Sequence, residues 1–138
     1  MNLECLLRGT GLSLVVLAAS HAVFWRILKW REETARLTPL NGRVFLVHML
    51  FIVLILTGQG VLLLARAELL VARSELATWL LAGLTAFFGA RLVIQWLVFD
   101  PVLALGSRWR TPLRVVATSG WLGYVLIFSF ALSRQFES

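Results

Sequence analysis

The amino-acid sequence predicts an all-α membrane protein: four transmembrane helices packed as an antiparallel up-down bundle, in a single domain over residues 1–138. Three observations carry that expectation. The composition is 59% hydrophobic and only 14% charged, with a mean hydropathy of +0.86, outside the range of ordinary water-soluble domains. A chain of 138 residues has too little interior to hide so much apolar surface from water, so the surplus faces a bilayer. The apolar residues are gathered into four runs at 12–28, 44–64, 76–99 and 113–132, of 17, 21, 24 and 20 residues. Each is close to the roughly 20 residues needed to cross about 30 Å of hydrocarbon.

The first run competes with a signal-peptide reading, in which Ser20-His21-Ala22 is a cleavage site. Glu4 beside Arg8 in the leading segment, and the continuation of the apolar pattern through Val23-Phe24-Trp25, favour a retained helix. The second run opens on Thr38-Pro39-Leu40, a start signal in which threonine caps the helix and proline takes the first position, where no amide partner is available anyway. Its stretch Val44-Phe45-Leu46-Val47 is apolar on every face, unlike the alternating strands of a membrane barrel. The third run stops at Asp100-Pro101, and the fourth opens on Thr111-Pro112-Leu113, repeating the start signal of the second. Ala18, Ala22, Gly58, Gly83, Ala86, Ala90, Ser119 and Gly123 are small enough to let helix backbones approach one another. Gly58-Gln59-Gly60 reads either as a loosened helix or as a close-packed crossing, and Gln59 is a candidate partner for the hydroxyl of Tyr124.

Thirteen Lys and Arg against seven Asp and Glu give a formal charge of +6. The basic residues lie between apolar runs, where they set topology and meet anionic headgroups, and no basic helix carries interleaved aromatics for stacking on bases, so nucleic acid is not an expected partner. The side holding segments 29–43 and 100–112 carries eight basic residues, including Arg26, Lys29, Arg43, Arg108 and Arg114; the other carries Arg8, Arg66, Arg73 and Arg134. That asymmetry predicts cytoplasmic loops at 29–43 and 100–112 and both termini outside, in a bacterial cytoplasmic (inner) membrane. Trp25, Trp30, Trp96, Phe99 and Trp109 fall near the same boundary, at headgroup depth. The lone Cys5 has no partner for an internal disulfide.

Ionisable groups inside a span are expensive, so each asks for a reason. Counted from the loop charges, His21, His48, Arg91 and Gln95 sit roughly 7 to 14 Å deep, which predicts one shared polar layer from three helices. Three readings stay open for it. His21 and His48, on neighbouring helices, would ligate one metal, best a b-type haem iron with nearby arginines on the propionates. The four side chains would instead form a cofactor-binding pocket for a quinone or a lipid headgroup, with Phe51, Phe87 and Phe88 beside the tail. Or the cluster is structural, with Arg91 extending toward the membrane edge and the imidazoles bonded to backbone carbonyls or each other. No serine–histidine–acid set, paired carboxylates, phosphate-binding glycine loop or zinc-protease motif occurs, so catalysis has thin support.

The stretch from Pro39 to His48, followed by Phe51-Ile52, together with Ala90-Arg91-Leu92-Val93-Ile94-Gln95-Trp96, resembles a group of small uncharacterised four-span bacterial integral membrane proteins. The resemblance implies the same topology and attaches no activity. The functional expectation is therefore a non-catalytic accessory subunit or assembly partner of a larger membrane complex, surrounded by lipid and other membrane subunits. An electron-transfer module with haem or quinone at His21 and His48, and a lipid-binding protein, are its alternatives.

Overall fold

A computed structural model of the chain describes residues 2–101 and 110–137, apart from the side chain of Arg110. Arg108 and Trp109, assigned above to the membrane boundary, lie outside the described residues. The helices are α1 (Leu3–Ile27), α2 (Trp30–Ala35), α3 (Pro39–Val71), α4 (Glu75–Ile94), continued by a π-helical turn at Gln95–Phe99, and α5 (Arg110–Ser133). No strand occurs among the described residues. Four segments, Leu3–Ile27, Pro39–Val71, Glu75–Phe99 and Thr111–Ser133, are long and apolar enough to cross a membrane. The chain divides into two compact units, Met1–Ala67 and Glu68–Ser138. α3 runs through that division and departs from helical geometry beside it, at Arg66 (φ −138°, ψ 31°).

In the first unit, α1 starts where the Asn2 side chain accepts the Glu4 amide (3.2 Å), and Glu4 pairs with Arg8 one turn on (2.7 Å). Leu7, Thr10, Gly11, Leu14 and Ala18 form its buried stripe at three- and four-residue spacing. The matching stripe on α3 is Leu56, Gly60, Leu63 and Ala67. These two helices touch backbone to backbone. A Cβ added at Gly11 would stand 2.7 Å from the Gly60 carbonyl oxygen and 2.9 Å from the Leu64 amide nitrogen; one added at Gly60 would stand 2.8 Å from the Gly11 oxygen. Val15 also meets Gly60, so the partners of α1 run backward along α3 and the pair is antiparallel at this crossing. Gly58, Gly83 and Gly123, expected to serve as contact points, have no atom within 4 Å of where a Cβ would stand. Of the Gly58-Gln59-Gly60 stretch, it is Gly60 that makes the close-packed crossing, because composition alone does not fix which face of a helix turns inward.

α1 ends at a left-handed residue, Lys29 (φ 51°), which turns the chain into the short α2. The Trp30 ring then packs edge-on against both Trp25 (6.1 Å) and Phe45 (5.6 Å). Thr38 caps α3 as predicted: its carbonyl accepts the Gly42 amide and its hydroxyl faces the Asn41 amide at 3.4 Å. The equivalent reading at Thr111-Pro112 is corrected. α5 already begins at Arg110, so both residues lie within its first turn, where free amides make proline tolerable.

In the second unit, Ser74 caps α4 through its hydroxyl, which accepts the Ala77 amide (3.1 Å). Gln135, just beyond α5, returns to this turn: its Oε1 accepts the Ser74 amide (3.3 Å) and its Nε2 donates to the Leu70 carbonyl (3.0 Å). The core between α4 and α5 is aromatic. Phe88 and Phe128, both fully buried, stack at 5.5 Å, and Phe87, Trp121 and Tyr124 surround Phe88 at 4.9 to 6.1 Å. Between apolar helices in lipid, such packing supplies the association energy that water supplies elsewhere.

Candidate functional site

An arginine nine residues inside an apolar run needs its charge dispersed. Arg91 achieves this by extending toward the C-terminal end of its helix. Its guanidinium carbon lies 4.7 Å from the centre of the Phe99 ring and 4.6 Å from that of Trp121 on α5, a cation held against two aromatic faces. The guanidinium thus sits well shallower than its own Cα, at the level of the last turn before Asp100.

The π-helical turn makes that contact. Eight residues of regular α-helix would leave Phe99 about 80° around the axis from Arg91 at 100° per residue; one extra residue in the turn pulls it back over the arginine. The sequence supplies a cause for the turn in Pro101, which has no amide and whose ring opposes the carbonyl four residues earlier in a regular helix. In the wide turn the Asp100 amide donates to the Gln95 carbonyl, five residues back.

Gln95 occupies the middle of the cluster and is 2% exposed. Arg91 donates to its Oε1 through a long bond of 3.4 Å, while its own Nε2 donates to Asp100 Oδ1 at 2.9 Å. The second bond, to a charged acceptor, is the stronger. Asp100 Oδ2 then faces Arg114 Nε on α5 at 3.9 Å, a loose ion pair. The chain of contacts runs Arg91, Gln95, Asp100, Arg114, and ties the end of α4 to the beginning of α5. Beside it, on the face of α5 that carries Arg114, Thr118 and Trp121, the Thr118 hydroxyl and the Trp121 indole nitrogen are buried with no hydrogen-bond partner among the described residues.

Of the four residues singled out from the sequence, Arg91 and Gln95 meet, as their four-residue spacing requires. His21 and His48 lie in the first unit, each tied to its own helix: Nδ1 of His21 bonds the Leu17 carbonyl (2.9 Å) and Nδ1 of His48 the Val44 carbonyl (2.8 Å). A carbonyl only accepts, so Nδ1 carries a proton in both rings and Nε2 is the nitrogen left for any other partner. Extending the Val15–Gly60 register puts His21 opposite Leu54 and His48 opposite Ile27, about 9 Å apart along the helices at 1.5 Å per residue. His48 is exposed and His21 half-buried. Gln59 Oε1 is buried without a hydrogen-bond partner among the described residues.

Sequence reasoning did not assign Phe99, Asp100, Arg114 or Trp121 to the cluster. The available signal was the proline after Asp100, which marks a disturbed helix end, five residues beyond a buried glutamine. Comparison with known protein families, curated proteins and solved structures finds no match to the chain.

Proposed function

We propose that this chain is a non-catalytic subunit or assembly partner of a larger complex in a bacterial cytoplasmic membrane. Its four spans form an antiparallel up-down bundle, with residues 29–43 and 100–112 on the cytoplasmic side and both termini outside. The observation that carries the reading is how little of its apolar surface the chain uses for itself: 11% of the most apolar stretch of α5 and 17% of that of α3 are buried. Val116, Leu126 and Phe130 on α5 and Leu50, Leu54 and Val61 on α3 all face outward. Neighbouring helices gain packing contacts on such faces without removing any polar group from water. The described segments between the spans are short, the longest being residues 28–38 with the six-residue α2 inside it, and offer no extramembrane domain for a soluble substrate.

The test is purification in a mild detergent from its native membrane, wild type against Val116→Trp and Leu126→Trp. A stoichiometric membrane partner, retained by wild type and shed by the α5 variants while their own unfolding is unchanged, supports the subunit reading. A lone chain in every preparation refutes it.

One observation favours a second reading, the haem module. Nδ1 of both histidines is held by a backbone carbonyl, the arrangement that presents Nε2 to a metal. A Soret band in protein from haem-replete cells, lost in His21→Ala and His48→Ala, is its expected signature; colourless protein refutes it.

A further inference from the structure

The cluster at the end of α4 holds more donors than acceptors. Arg91 has five N–H groups and makes one long hydrogen bond. No carboxylate lies within ion-pairing distance of it among the described residues, whereas Asp100, the nearest acid in sequence, already serves Gln95 and Arg114. Two guanidinium groups against one carboxylate leave the cluster with a surplus of one positive charge. Buried donor hydrogens of Thr118 and Trp121 on the same face of α5 add to the imbalance. The other acids of the unit lie at its opposite end: Glu68 on α3 precedes the turn that Gln135 closes, Glu75 opens α4, about 24 Å away at 1.5 Å per residue, and Glu137 lies beyond the far end of α5, paired with Arg134. A surplus cation at the edge of the hydrocarbon is costly, so an acceptor-rich anion completes the arrangement.

We infer that Arg91 and Arg114 together bind the phosphate of an anionic phospholipid at the membrane edge. Depth selects the lipid. The guanidinium of Arg91 is drawn up to Phe99, the last residue of the apolar run, which is where headgroup phosphates and glycerol esters lie. Its carbon lies near the faces of two rings, which accept no hydrogen bonds of ordinary strength, so its N–H groups are left to a phosphate. The Arg114 side chain is 39% exposed and supplies the second cation. Leu97 and Val98, on the wide turn between Gln95 and Asp100, are exposed and offer apolar surface to acyl chains. The site needs no partner subunit and stands or falls separately from the subunit reading.

The experiment uses the purified full chain in mixed micelles, with thermal unfolding followed by circular dichroism during titration with dioleoyl phosphatidylglycerol, dioleoyl phosphatidylcholine or inorganic phosphate. Wild type is expected to bind phosphatidylglycerol about tenfold more tightly than phosphatidylcholine, the effect of roughly one charge-assisted contact. Arg91→Gln removes that preference and Arg114→Gln reduces it severalfold; Arg36→Gln, which deletes the same charge in the first unit, leaves it intact. If Arg91→Gln fails to fold, Arg114→Gln against Arg36→Gln decides the matter alone. Equal affinity for the two lipids, equal loss in Arg36→Gln, or an effect of inorganic phosphate matching that of the lipid overturns the assignment. So does a co-purified protein that abolishes the lipid effect by supplying its own carboxylate.

Discussion

Replacing Gly60 by alanine adds one methyl group at the tightest point of the first unit. That carbon would stand 2.8 Å from the Gly11 carbonyl oxygen, 2.8 Å from Val15 Cγ2 and 3.1 Å from the Val15 amide nitrogen. Ordinary contact begins near 3.4 Å, so α1 and α3 must part by about 0.6 Å. Neither neighbour yields easily: one is helix backbone, and a helical valine has one strongly preferred rotamer. Separation loosens the packing of Leu7, Leu14, Leu56 and Leu63 along the same seam. Overpacking of this kind costs about 1–3 kcal/mol, and a contact surface sustained mainly by dispersion places the expected loss toward the upper part of that range. Gly58→Ala is the internal control, since two residues away a Cβ meets no atom within 4 Å and alanine is the better helix former. The assay is equilibrium unfolding in mixed dodecylmaltoside and dodecyl sulfate micelles, followed by far-ultraviolet circular dichroism. Gly11→Ala should cost at least as much as Gly60→Ala, and the double variant less than the sum, because one separation of the helices relieves both clashes. Gly60→Ala unfolding at the same detergent fraction as Gly58→Ala would refute the backbone-contact argument.

Gln95→Leu keeps the volume but removes the donor to Asp100 and the acceptor for Arg91; a destabilisation of about 1–3 kcal/mol is expected in the same assay, and a change under 0.5 kcal/mol contradicts the cluster's cohesion. Phe88→Ala empties the centre of the aromatic core. The expected cost is large but below the ~3–5 kcal/mol of a water-soluble core, because the unfolded helices remain in lipid and only the packing part is lost. The orientation is tested by the exposed Cys5: a membrane-impermeant maleimide should label it in intact spheroplasts, and should label Arg36→Cys, in a Cys5→Ser background, only after permeabilisation. The reverse pattern excludes the proposed topology.

The four spans were legible because hydropathy reports directly on which residues tolerate lipid. The apolar run marks less than the helix: it covers 44–64, whereas α3 runs from Pro39 to Val71, its start given by the Thr38-Pro39 signal and its far end by no signal, since a helix continues through Arg66 and Glu68 wherever its backbone bonds are made. The Arg91–Gln95 pair followed from helical spacing alone. The remainder of the cluster depended on a helix that breaks its own period: the wide turn at Gln95–Phe99 shifts every later residue in phase, and so brings Phe99 beneath Arg91, which a regular count does not. Trp121 and Arg114 depend in addition on how α5 is rotated, a property that an almost uniformly apolar helix does not encode in its pattern.

The glutamine that closes the α3–α4 turn is separated from its two backbone partners by 61 and 65 residues of chain. During synthesis the hairpin therefore leaves the ribosome with this amide and carbonyl served by water alone, and the group that completes it arrives only after the final helix has been made. A chain shortened before position 135 would keep every apolar span and still lack this clasp, so an engineered tag belongs after Glu137, where it leaves the returning side chain free to dock.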